Sequence, residues 1–370
     1  MRCCPVNCIV PPYILRHLLD SANAEYRRIA LETLLATAHL RAERRLTQFN
    51  GFARSLAGTK RRTIFDCAHG TRPAQAKIAR EEGGAAVKDT PVNAAFDGLG
   101  KTYDFFWQVF QRNSVDDQGM RLDGYVHYGR AYNNAFWDGR EMIFGDGDGR
   151  LFTDFTGALD VIAHELGHGV TQFTAGLEYH EQPGALNESM SDVFGSMVKQ
   201  WALGQEAAQA DWLIGDRIFT PKVKGDALRS MKAPGTAYDD PDLGRDPQPA
   251  HMDHYQKLPD TDQGDWGGVH VNSGIPNRAF YLAATGIGGR SWEGAGPIWF
   301  EALKRSQPRT DFAAFARTTF LYASDTHGVT SREARAIRSA WEGVGVAVDA
   351  VAKTPPPKKP PARKKPVRAK

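Results

Sequence analysis

The apolar positions along the chain change period several times, and each change marks an element. Pro11-Pro12 enforces an extended entry, after which Ile14, Leu18, Leu19, Ile29, Leu31, Leu34, Leu35 and Leu46 recur at helical spacing among Arg and Glu. A second helical run, 91–110, carries Ala95, Leu99, Tyr103, Phe106, Trp107 and Phe110, with Pro91 near its start. Between 122 and 144 the period shortens. Leu122-Asp-Gly-Tyr-Val-His-Tyr128, Asn134-Ala-Phe-Trp137 and Glu141-Met-Ile-Phe144 are aromatic-rich runs broken by Gly and Asp, and read as strands. The stretch 160–171 reads as a buried helix on Val161, Ile162, Leu166 and Val170, and helical runs follow at 185–203, 269–284, 292–305, 311–324 and 331–342. Residues 211–263, rich in Gly, Pro and Asp, are expected to form a long surface excursion. Helical and extended runs mixed to about residue 155, followed by mainly helical runs, go with an α+β class.

Composition narrows the setting. A chain of 370 residues with 41% hydrophobic content can build one large or two medium domains, and no apolar run approaches the roughly 20 residues needed to span a bilayer. The N-terminus lacks the charged-then-apolar design of a secretory signal, so a cytoplasmic location or a leaderless export route is expected. The formal charge of +3 rests on the tail, where residues 353–370 hold eight Lys or Arg and no acid; the body is acidic and gives no reason to expect nucleic-acid binding. That Pro/Lys-rich tail, 349–370, is expected to be disordered and has no identifiable partner. Cys3, Cys4 and Cys8 crowd the first eight residues, a cluster able to bind metal or cross-link, but not a disulfide framework.

The chemistry gathers on the buried helix. In His164-Glu-Leu-Gly-His168 the two imidazoles lie one turn apart on one face, within reach of one small cation. Glu165 stands beside them, placed to take a proton from a water that a zinc ion polarises. Accident can produce this spacing among eleven histidines, but two histidines and a carboxylate on a buried helix are costly without a ligand. A third ligand is available in Gly184-Ala-Leu-Asn187-Glu188-Ser-Met-Ser-Asp192. Glu188 can bind the metal while Asp192, one turn on, accepts the remaining N–H of a zinc histidine. An exposed acidic face is the alternative, and the flanking Met190, Val193, Phe194 and Met197 argue against it. Gly145-Asp-Gly-Asp-Gly149 has the look of a calcium loop without the full pattern, and a tight turn fits it better.

His164-Glu-Leu-Gly-His168, Gly176-Leu-Glu-Tyr179, Gly184-Ala-Leu-Asn-Glu188-Ser-Met-Ser-Asp192 and Gly267-Gly-Val-His270-Val-Asn-Ser-Gly274, in that order, resemble the thermolysin family of zinc metalloproteases over about residues 62–346. The resemblance implies a two-lobed fold, with an N-terminal β-rich lobe (60–176) including the zinc helix and a C-terminal helical lobe (177–348). It implies one catalytic zinc on His164, His168 and Glu188, supported by Asp192 and Asn187, with Glu165 activating water. Tyr179 and His270, the latter oriented by Asp265, would donate to the developing oxyanion. Asn134 and the backbone of Ala135 would hold substrate in extended form, and Arg229 would grip a peptide carbonyl. Taken singly, Tyr179 or Arg229 would more often be a packing or surface residue; only the motif gives it this role. The implied pocket after the cut is apolar, comprising Phe152, Phe155, Val161, Ile214, Ile218 and Leu228, so cleavage before hydrophobic residues is expected in protein or peptide substrates.

Two further expectations follow from the resemblance. The family's paired calcium site is broken by Lys199 and Leu213, although Asp160, Asp211 and Asp216 remain, so calcium dependence is not expected. With Cys8-Ile-Val-Pro-Pro-Tyr-Ile-Leu15, residues 1–59 resemble the short propeptide of the protealysin-like branch, covering the cleft as an intramolecular inhibitor and removed near 58–62; by composition alone the exposed basic stretch 57–62 could equally be an ordinary interdomain linker. The competing readings are an aminopeptidase, for which no acidic anchor for a free N-terminus is found, and a catalytically silent binding module. Silence would not require Glu165, Tyr179 and His270.

Overall fold

The computed structural model describes residues 7–46 and 56–348; Cys3, Cys4 and the tail lie outside them. The chain opens with a short strand β1 (Asn7–Cys8) and helices α1 (Pro12–Leu19) and α2 (Ala24–Leu46). Strands β2 (Arg62–Asp66) and β3 (Lys77–Glu81) lead to helix α3 (Thr90–Phe110), which starts where the Asp89 carboxylate accepts the Val92 amide (3.2 Å) and ends at Gln111 in the left-handed region. Strands β4 (Leu122–Val126), β5 (Ala135–Trp137) and β6 (Met142–Phe144) coincide with the three aromatic-rich runs. The sheet order is β1-β5-β6-β4-β2-β3, with β1, β5 and β6 mutually antiparallel where they pair. Without β1, the edge of this sheet would be β5.

Two long helices follow, α4 (Leu159–Gln172) and α5 (Glu181–Leu203), and they cross closely. The approach depends on glycine. A Cβ at Gly167 would stand 3.0 Å from the Ser191 Cα, and one at Gly195 would stand 2.6 Å from the Asp160 carbonyl oxygen. The remaining helices, α6 (Asp265–Asn272), α7 (Gly274–Ile287), α8 (Ala295–Arg305), α9 (Phe312–His327) and α10 (Arg332–Glu342), make the second lobe around Trp299, Trp341 and Phe280.

Three expectations need correction. Residues 211–263 are only partly a surface excursion: Trp212, Ile214, Ile218, Leu228, Met231 and Tyr238 are all buried, short paired strands at Leu213–Ile214 and Arg229–Ser230 hold this part against the core, and only 250–263 has no buried residue. Gly and Pro marked its irregular backbone correctly, but irregular backbone can be buried when its polar groups find partners. The helix expected at 269–284 is divided at Ser273, and α6 begins with Trp266, Gly267 and Gly268 at positive φ. In α2 the buried positions are Ile29, Ala30, Thr33, Thr37 and Leu40, while Leu31 and Leu35 are exposed; the apolar repeat overstated which leucines face inward.

The sheet and α3 are tied by one histidine. His127, just past β4, places Nδ1 2.9 Å from Asp146 and Nε2 3.0 Å from Asp89, and His69 Nδ1 lies 3.3 Å from Asp146. Burial lowers its proton affinity, but the two carboxylates outweigh that and raise its pKa above the ordinary imidazole value, with Asp154 also nearby. An imidazolium satisfies both contacts at once. Because the folded-state pKa is raised, this stabilisation is complete below the ordinary imidazole range and disappears as pH rises through the raised value. His127→Gln is expected to lower unfolding free energy by about 1 kcal/mol at pH 5.5–6 and by less at pH 8–9, measured by denaturant titration in a Glu165→Ala background; a pH-independent difference would refute the linkage.

Candidate active site

Helix α4 carries His164, Glu165 and His168, and α5 carries Asn187, Glu188 and Asp192, all buried. The two imidazoles meet at Nε2···Nε2 3.0 Å, and Glu188 lies 3.6 Å from His164 Nε2 and 3.5 Å from His168 Nε2. These three residues form the one group of metal-capable side chains found among the described residues. Two imidazoles and a carboxylate match the donors of a catalytic zinc. The Oε2 atom of Glu188 has no hydrogen-bond partner although buried, as expected of an atom meant for a cation. Burial lowers the His168 pKa to about 3, keeping the ring neutral as ligation requires.

The far side of each imidazole is fixed. His164 Nδ1 lies 2.7 Å from Asp192 and His168 Nδ1 lies 2.8 Å from Asn187, which turns both Nε2 atoms toward Glu188. Asp192 also accepts two hydrogen bonds from Arg229 (both 2.8 Å) and one from Asn277 (2.8 Å). Burial opposes its charge, yet Arg229 and His164 outweigh this and hold the carboxyl well below the usual range. Glu165 is oriented by the Trp137 amide (2.9 Å), while its Oε1 has no partner. Burial, with Glu188 adjacent, raises the Glu165 carboxyl well above its ordinary value.

On the opposite wall, Tyr179 Oη contacts Glu188 and lies 3.2 Å from His270 Nε2. Asp265 accepts from His270 at both Nδ1 (2.5 Å) and the backbone N–H (2.8 Å), fixing the ring. Phe152, Phe155, Val161, Ile214, Ile218 and Leu228 are buried members of one apolar cluster. The candidate residues from both halves of the chain therefore converge.

The groups expected to hold a substrate main chain all contact residues 8–10. Strand β1 pairs antiparallel with β5, and Ile9 N–H donates to the Ala135 carbonyl (3.1 Å). Asn134 makes a reciprocal pair with Val10, accepting from its N–H (3.0 Å) and donating to its carbonyl (3.2 Å). Arg229 donates to the Ile9 carbonyl (3.1 Å), and His270 Nε2 lies 3.2 Å from the Cys8 carbonyl oxygen. Burial pushes the Cys8 thiol pKa up to about 12. The motif reading missed Asn277, the Trp137 amide and Gln248, which donates to the His270 carbonyl (2.7 Å). No local pattern could have found them, because each acts across more than twenty residues of chain.

Comparison with known proteins agrees with this geometry. Residues 44–172 match the family model described as thermolysin metallopeptidase, catalytic domain, and residues 175–346 that described as thermolysin metallopeptidase, alpha-helical domain. An extracellular metalloprotease of Pectobacterium carotovorum subsp. carotovorum is 49% identical over 94% of this chain and 99% of its own length. Protease PrtS of Photorhabdus sp. (strain Az29) is 42% identical over 92% of each chain. Among solved structures, the precursor of protealysin, a metalloproteinase from Serratia proteamaculans, superposes with a TM-score of 0.84 at 50% identity, covering 92% of this chain and 100% of the other. No described helix is long and apolar enough to cross a membrane.

The Asp192 contact carries a prediction. Asp192→Asn keeps the shape but weakens both the His164 tautomer lock and the Arg229 pair, so zinc affinity is expected to fall about 10- to 100-fold, measured by competition with a chromogenic chelator. Unchanged affinity would show that the carboxylate does not tune the ligand.

Proposed function

The chain belongs to the thermolysin metallopeptidase family and is a zinc endopeptidase made as a precursor, and from that premise we propose how its residues divide the reaction. His164, His168 and Glu188 would hold zinc, which when bound polarises a water and the substrate carbonyl. Glu165 takes the water's proton and passes it to the leaving nitrogen; its raised proton affinity suits a base that must also act as an acid. Tyr179 and His270 donate to the charge that develops on the carbonyl oxygen, and Asp265 holds His270 in the donating tautomer. Asn134, Ala135 and Arg229 fix the main chain on the leaving side of the cut. The buried, apolar character of Phe152, Phe155, Val161, Ile214, Ile218 and Leu228 supports cleavage on the N-terminal side of hydrophobic residues. Convergence of these groups on one short extended segment is the observation that carries the reading.

Residues 1–59 serve as the propeptide and inhibit in place. Support comes from the contacts of residues 8–10 and from Arg16 and Arg41, which both reach Asp262 in the loop before α6. The catalytic lobes are 60–176 and 177–348, divided after the zinc helix. On an internally quenched peptide with a hydrophobic residue after the scissile bond, Glu165→Ala is expected to lower turnover at least about 10³-fold with zinc content retained. Equal turnover would refute the assignment of Glu165.

Calcium is replaced by an ammonium group. Lys199 Nζ lies 2.9 Å from both Asp211 and Asp216 and 3.9 Å from the buried Asp160, whose carboxylate also accepts the Gly215 amide (2.8 Å). Calcium removal with a calcium-selective chelator is expected to leave activity and Tm nearly unchanged, whereas Lys199→Ala leaves a buried charge uncompensated and should cost about 2–4 kcal/mol. A large Tm loss on chelation would refute the substitution.

A further inference from the structure

We propose that the Cys8–Ile9 peptide bond is a self-cleavage site: it lies across the catalytic groups as a substrate bond would, and the loaded precursor cuts it within its own cleft. This rests on the peptidase reading of the same site. Four contacts fix the register. The Cys8 carbonyl oxygen is 3.2 Å from His270 Nε2, the group assigned to the developing oxyanion. Ile9 N–H donates to the Ala135 carbonyl (3.1 Å), and the Glu165 carboxylate lies near the same N–H, so the base stands beside the nitrogen that would leave. The Ile9 carbonyl is gripped by Arg229 (3.1 Å), and Val10 by Asn134 through both its N–H and carbonyl. Ile9 is itself an apolar side chain with no exposure.

A plug would need only to exclude substrate. Here the residue before the bond presents its carbonyl to the oxyanion donor, and the residue after it is a buried apolar one whose N–H and carbonyl meet the groups that hold the leaving side. The balance of the step is that of hydrolysis. A water oxygen bonds to the Cys8 carbonyl carbon, the C–N bond breaks with its electron pair on the Ile9 nitrogen, and Glu165 carries a water proton to that nitrogen. The second water proton follows to the same nitrogen, so the products are a Cys8 carboxylate and an Ile9 ammonium. Residues 9–41 keep their own contacts after the cut, so cleavage here trims residues 1–8 and is separate from removal of the whole leader.

The test is intact-mass and N-terminal analysis of full-length precursor after zinc is added. A chain beginning at Ile9 is expected, forming at a first-order rate that is unchanged over a tenfold range of protein concentration, and absent in Glu165→Gln. If the wild type cleaves a quenched peptide yet no chain ever begins at Ile9, the proposal is overturned while the peptidase reading stands. If it cleaves neither the peptide nor itself, both fall. A second measurement needs no turnover: in the Glu165→Gln background, Ile9→Asp would put a carboxylate in an apolar site, and trypsin should cut the leader about tenfold faster than in Ile9→Val. Equal trypsin rates would refute the seating of Ile9.

Discussion

The site depends on one buried carboxylate. Asp192 accepts from His164 on α4, from Arg229 on the short strand Arg229–Ser230 and from Asn277 on α7, while standing on α5 itself. An ionised Asp at no exposure is tolerable only because both oxygens are paired and all three partners bring positive charge or an N–H. The same carboxylate orients a metal ligand and the arginine that reaches a peptide carbonyl, so metal position and substrate position are set from one point. Loss of Arg229 would leave His164 turned toward a buried carboxylate without its cationic partner.

That carboxylate can do so only because the helices around it approach closely. Gly167 and Gly195 bring α4 and α5 to backbone contact, and the short crossing places Glu188 between the two imidazoles. Larger residues there would spread the helices and separate the three donors before any of them was mutated. Helix α4 also lacks a side-chain cap, and its first-turn acid Asp160 is instead held by Lys199 and the Gly215 amide. The zinc helix is thus anchored electrostatically at its start and through Asp192 at its centre.

Much of this was legible from local pattern. Helical spacing located α3, α4 and α5 within a few residues, and the i, i+4 pairs His164/His168 and Glu188/Asp192 identified their own faces because such pairs project together. What pattern could not supply was contact between distant segments. Asn277, the Trp137 amide and the burial within residues 211–249 depend on tertiary packing, and Gly/Pro content reports irregular backbone without saying whether it is covered. The leader shows both sides. Its helices follow from the apolar repeat, but the exposure of Leu31 and Leu35 depends on which face meets the body.

The leader's strength as an occupant comes from tethering more than from new chemistry. Its three residues in the cleft use groups that any extended peptide would use, so by themselves they should bind no better than a short substrate. Helices α1 and α2, with Arg16 and Arg41 on Asp262, add contacts outside the cleft, and the covalent link through residues 56–61 keeps the segment at an effective concentration on the order of millimolar. A cut in that exposed link removes the tether without touching the cleft. Competing substrate can then displace the leader by mass action, and the groups that held residues 8–10 are already arranged for the peptide that replaces them.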